Sequence, residues 1–213
     1  MADRRSFLAA LAAAPVVSRL PEAAAAPAPV SVQQSQWDLS FLDRLTGRHK
    51  MVFDVAIMDI PLVVVANYLR GFREVMNLEH PDVNAVVGNA GTYAIIASDA
   101  MWAKYKLGER HQIKDPDTGT WAVRNTFALR DPMPKGINPE HTVQRLQQRG
   151  AIFWQCYNAL MAIAGQLAGT HSVPVEEVRK DMREGMLPGV ILVPAHTMLL
   201  GLAQERGCTY EKL

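Results

Sequence analysis

What most constrains this chain is a repeated alternation between short apolar runs of strand length and longer segments with helical periodicity. Met51-Val52-Phe53-Asp54-Val55-Ala56-Ile57-Met58 is nearly continuously apolar. Such a run suits a parallel strand covered on both faces, whereas a strand with one wet face alternates apolar and polar residues. Asp59-Ile60-Pro61 then opens a helix predicted to reach about residue 77, with proline in the first turn, where its missing N–H costs nothing. Leu62, Val65, Ala66, Leu69, Phe72 and Met76 recur on one face of it. The pattern predicts further strands over 83–88, 151–156, 190–193 and 208–212, and helices over 92–107, 140–149, 158–168, 174–186 and 195–206. Strands separated by helices imply an α/β fold, a small doubly wound parallel sheet with helices on both faces and right-handed crossovers.

One stretch breaks the alternation. Residues 108–136 hold Asp115-Pro116-Asp117-Thr118-Gly119-Thr120, a turn cluster between two strand-like runs, with Trp121, Val123 and Phe127 on the second. It reads as an inserted β-hairpin arm, covered either by a neighbouring subunit or by its own domain. Residues 29–47 read as a polar connector, with Trp37 and Phe41 as anchors and a short helix over 36–45, ahead of a domain spanning 48–213.

Residues 1–28 have the form of an export leader. Asp3-Arg4-Arg5-Ser6-Phe7-Leu8 resembles a twin-arginine signal, and the apolar stretch after it is too short to span a bilayer. The expected location is therefore the periplasm, reached by a route that moves folded proteins. With Arg4, Arg5 and Arg19 set against Asp3 and Glu22 in the leader, the remainder carries 19 basic and 19 acidic side chains. A neutral domain has no general attraction for nucleic acid or anionic lipid, and no later apolar run is long enough for a membrane span.

Three loops at the carboxyl ends of the predicted strands, where ligands sit in folds of this class, form the candidate site. They are Gly88-Asn89-Ala90-Gly91, Cys156-Tyr157-Asn158 and Pro194-Ala195-His196-Thr197. Cys156 stands where a strand passes into a helix, so helix N–H groups there would stabilise a thiolate, the form that accepts and hands on sulfur. His196 opens the next helix as a proton donor or partner for that thiolate. Gly88, Asn89 and Asn158 are placed to hold an anion or small polar ligand. Each residue also has a structural reading: a core cysteine, a helix-start histidine and a turn asparagine. Gly88-x-x-Gly91 is too short for a dinucleotide fingerprint. The spacing of Cys156 and Cys208 argues against an internal disulfide. The scattered histidines predict no metal site, although Cys156, His196 and Met198 together would suit copper. No cofactor is expected.

The ordered set Ala66-Asn67-Tyr68-Leu69-Arg70, Val86-Val87-Gly88-Asn89-Ala90-Gly91, Gly150-Ala151-Ile152-Phe153-Trp154-Gln155-Cys156-Tyr157-Asn158, Val193-Pro194-Ala195 and Leu202-Ala203-Gln204-Glu205-Arg206-Gly207 resembles the DsrE/DsrF-like proteins, in particular their exported relatives. The resemblance covers about residues 48–213, without the 108–136 arm, and no one motif in it is specific. It implies a small doubly wound α/β fold, assembly into a homo-oligomer, and sulfur relay through a cysteine persulfide at Cys156, exchanged with a relay or redox partner protein. The competing expectation is a non-enzymatic ligand-binding or assembly module in which Cys156 is core packing.

Overall fold

A computed structural model describes residues 37–58 and 61–213. The expected leader, the start of the connector and the first two residues expected in the first helix lie outside the described residues. In chain order the elements are β1 (His49–Val55), α1 (Pro61–Met76), β2 (Val83–Asn89), α2 (Asp99–Lys104), α3 (Leu107–Arg110) and α4 (Val143–Gln148). They continue with β3 (Ile152–Cys156), α5 (Tyr157–His171), α6 (Val175–Glu184), β4 (Ile191–Val193), α7 (His196–Glu205) and β5 (Thr209–Lys212).

The five strands form one sheet in the order β4-β3-β2-β1-β5, and every pairing is parallel. The doubly wound α/β expectation holds. All seven residues of the central strand β2 are buried, as its apolar run requires, while edge strand β5 is exposed throughout. Successive side chains alternate between faces, so two cores form. Phe53, Val55, Ala85, Val87 and Phe153 pack under α1 and α5. Val52, Val86, Trp154 and Val193 pack with Leu199 and Ala203 of α7 and with Phe41, Leu42 and Leu45. Phe41 and Leu42 come from a 3-10 turn over Ser40–Arg44, in place of the short helix expected there, and Leu45 caps its end. Trp37 stands edge-on to Tyr157 at 5.4 Å between ring centres.

The long helix expected over 92–107 is broken into a 3-10 turn at Tyr93–Ile96, α2 and α3. Tertiary contacts outweigh local periodicity here. Ala97 is extended and bridges Met186, and the Ser98 N–H donates to the Gly185 carbonyl at 2.7 Å. Of the hairpin expected in the arm, one antiparallel bridge is present outside the named strands, Lys114 to Trp121. Of the two covers expected, the arm takes its own domain, with Ala122, Asn125, Thr126 and Ala128 buried. Asn125 holds it down: its side-chain amide donates to the carbonyls of Ile95 (2.9 Å) and Ala97 (2.6 Å), and its Oδ1 accepts from the Phe127 N–H (2.7 Å). Gly108 permits the docking, since a Cβ there would stand 2.1 Å from the Ala122 carbonyl oxygen. Among the described residues no helix is long and apolar enough to cross a membrane.

Candidate functional site

Parallel register sets three residues side by side across the sheet. Asp54 of β1 pairs with Gly88 of β2, and Gly88 pairs with Trp154 of β3. In-register residues of parallel strands share a face, here the α7 face. Having no side chain, Gly88 leaves a slot between its neighbours. The His196 imidazole, from the first residue of α7, fills it: a Cβ on Gly88 would lie 2.8 Å from His196 Cε1 and 2.7 Å from Trp154 Cζ2.

The hydrogen bonds determine the tautomer. Trp154 Nε1–H donates to His196 Nδ1 at 3.1 Å, and indole can only donate, so Nδ1 carries a lone pair. The proton therefore sits on Nε2, which donates to Asp54 Oδ1 at 2.7 Å. The Tyr210 hydroxyl donates to Asp54 Oδ2 at 2.8 Å. Burial pushes the Asp54 carboxyl up, but the bonds from Tyr210 and His196, with Lys212 nearby, outweigh it and hold the group below the usual carboxylate range. The bond to that carboxylate in turn pushes the Tyr210 phenol up. The chain Trp154–His196–Asp54–Tyr210 runs from the core to solvent, where Tyr210 is 44% exposed.

Cys156 is the last residue of β3 and the N-cap of α5. Its Sγ accepts two backbone N–H groups, from Ala159 at 3.5 Å and from His196 at 3.3 Å. The sulfur therefore faces the N-termini of both α5 and α7, an arrangement that favours negative charge. Cys156 is 5% exposed, yet it belongs to neither apolar cluster. Cys208 differs. It packs within the α7-side cluster, and burial pushes its thiol up. Both thiols are free.

The structure thus brings Gly88, His196 and Cys156 together, with roles that differ from those expected. The His196 imidazole does not partner the thiol. Both its ring nitrogens are engaged, by Trp154 and Asp54, and His196 reaches the sulfur through its backbone N–H. Asn89 is wholly buried and pins the backbone: Nδ2 donates to the Trp154 carbonyl at 3.3 Å, and Oδ1 accepts from Thr92 at 3.1 Å. Asn158 is exposed on the first turn of α5, two residues from Cys156. Beside the cysteine, buried Gln155 donates through Nε2 to the carbonyls of Ala90 and Cys156, both at 3.0 Å, and its Oε1 has no partner among the described residues.

Sequence reasoning missed Asp54, Trp154, Tyr210 and Gln155. Asp54 alone carried a signal, being the one charge inside an apolar strand. Among the described residues no group of three or more His, Cys, Asp or Glu could hold a metal ion. No family model, curated protein or solved structure matches this chain.

Proposed function

We propose that this chain handles sulfur through Cys156, as the carrier in a relay outside the cytoplasm. The observation that carries the reading is the pair of backbone N–H groups, one from each of two helix N-termini, directed at Sγ. The same donors that stabilise a thiolate also stabilise the anion of a persulfide. The DsrE/DsrF-like resemblance and the twin-arginine-type leader support the same reading. In the loading step the Cys156 thiolate attacks the outer sulfur of a donor persulfide, R–S–SH. The new S–S bond forms as the donor's S–S bond breaks, leaving Cys156 as the persulfide and the donor as the thiolate R–S⁻, with no net oxidation. Handing the sulfur to an acceptor thiolate reverses the step.

His196 acts here as a positioning residue. Anchored by Asp54 and Trp154, it sets the first turn of α7 so that its own N–H meets the sulfur. Assembly into a homo-oligomer and exchange with a relay partner belong to the same proposal.

The test uses a Cys208→Ala background. Folded protein is offered an alkylating reagent, and separately a low-molecular-weight persulfide, with intact mass as readout. Labelling in the folded state and a gain of one sulfur atom, both lost in Cys156→Ser, are expected. A thiol silent until the protein unfolds would overturn the relay. It would favour a ligand-binding or assembly module in which Cys156 is packing, the reading to which its 5% exposure points.

A further inference from the structure

At the other end of β3 is an arrangement that the thiol site does not use. The C-terminal half of α1 carries Arg70 and Arg73, and Arg149 caps the C-terminal end of α4, three residues before β3 begins. The three guanidinium-bearing side chains line one cavity of about 80 Å³ together with Asn67, Asn138 and His141. Glu140 also borders it and is drawn off to Arg145, 3.7 Å away.

The local pairing leaves positive charge in excess. Arg70 donates to Asn67 Oδ1 at 2.8 Å, and Arg73 Nε reaches Glu79 at 3.9 Å, the outer limit of an ion pair. The Arg149 side chain makes no hydrogen bond or ion pair within those limits among the described residues. Burial first, then repulsion from Arg73 and to a smaller degree Arg70, pushes its guanidinium below its ordinary value, with Glu140 and Glu79 opposing. Asn138 uses Oδ1 to cap the Glu140 N–H, which leaves its amide N–H groups free to donate.

Exposed Arg70 and Arg73 and half-buried Arg149 set three like charges around one concave space, and an anion joining them offsets their mutual repulsion. The planar arginine fork matches the oxygen edge of a phosphate or sulfate and binds it through paired charge-assisted hydrogen bonds. We propose that the cavity bounded by Arg70, Arg73 and Arg149 is a binding site for a tetrahedral oxyanion, phosphate or sulfate, held by the arginine forks and the Asn138 amide. Its volume suits one such group. A neighbouring cavity of about 200 Å³ shares Arg149 and has Leu69, Glu79, His80 and Gln148 on its walls, leaving room for an organic substituent. The site is independent of the Cys156 reading, because it lies where β3 begins and Cys156 lies where β3 ends.

The test is calorimetric titration of the intact protein, at low ionic strength, with inorganic phosphate, inorganic sulfate and glycerol phosphate. Saturable binding is expected, weakened about tenfold or more by Arg149→Gln and by the exposed Arg70→Gln, as the loss of charge-assisted hydrogen bonds requires. Arg183→Gln on α6 and Cys156→Ser leave the affinity unchanged. Tighter binding of glycerol phosphate than of inorganic phosphate identifies a phosphate monoester as the ligand class, and equal or weaker binding identifies the free ion. Absence of saturable heat with all three anions overturns the proposal. So does an affinity that neither arginine substitution alters, and the use of two variants keeps the test open if one fails to fold.

Discussion

Replacing Gly88 by alanine tests the central packing claim. The backbone here is strand, a conformation alanine accepts, so any cost is steric. The added methyl would stand 2.7 Å from Trp154 Cζ2 and 2.8 Å from His196 Cε1, well inside the 3.5–4.0 Å or so at which carbons rest. Neither ring yields easily. The indole is wholly buried against Phe41, at 6.1 Å between ring centres, and the imidazole is bound at both nitrogens. Overpacking of this kind costs about 1–3 kcal/mol. If the imidazole is expelled, the Trp154 N–H is left buried without an acceptor, which costs about 1–3 kcal/mol more. A loss of roughly 2–6 kcal/mol is therefore expected from the two effects together. Equilibrium denaturation followed by tryptophan fluorescence measures it, and the indole N–H resonance of Trp154 reports whether its bond to His196 survives. A stability within about 0.5 kcal/mol of the parent, with that resonance unmoved, would refute the claim that the slot is tightly filled.

Asp54→Asn tests the charge in the network. Because the folded carboxyl lies below its ordinary value, its stabilising contribution is complete above the unfolded carboxylate range and is lost as pH falls through the folded value. Stability at neutral pH should fall by about 1–3 kcal/mol, and the acid limb of the stability–pH curve should flatten; an unchanged limb would assign acid sensitivity elsewhere. Asn125→Ala removes three hydrogen bonds of 2.6–2.9 Å from a buried side chain and leaves two carbonyls unpaired. A loss of about 3 kcal/mol and new proteolytic cleavage near residues 115–121 are expected, whereas intact resistance to protease would show that other contacts dock the arm.

The strands were legible because each is a local apolar run, and the sheet bears out all five to within three residues at either end. Short polar turns and prolines marked most helices equally well. The 92–107 segment was not legible, because its breaks come from Met186 and Gly185, far along the chain, and from Lys106 held at φ 49°. The cover of the arm was left open in the sequence for the same reason. Its turn chemistry is local, but the decision to fold back rests on Asn125 meeting carbonyls 28 and 30 residues away.

The candidate site divides along the same line. Sequence alone put Cys156 at a strand-to-helix junction and His196 at the start of the next helix, since both are matters of local periodicity. Tertiary structure decided what those residues touch. Asp54 and His196 are separated by 142 residues, and Trp154 and His196 by 42; they meet only because parallel register sets Asp54, Gly88 and Trp154 in one row. Register is a property of strand pairing and carries no signature within any one strand. For that reason the places of Cys156 and His196 were legible in the sequence, and the bonds joining His196 to Asp54 and Trp154 were not.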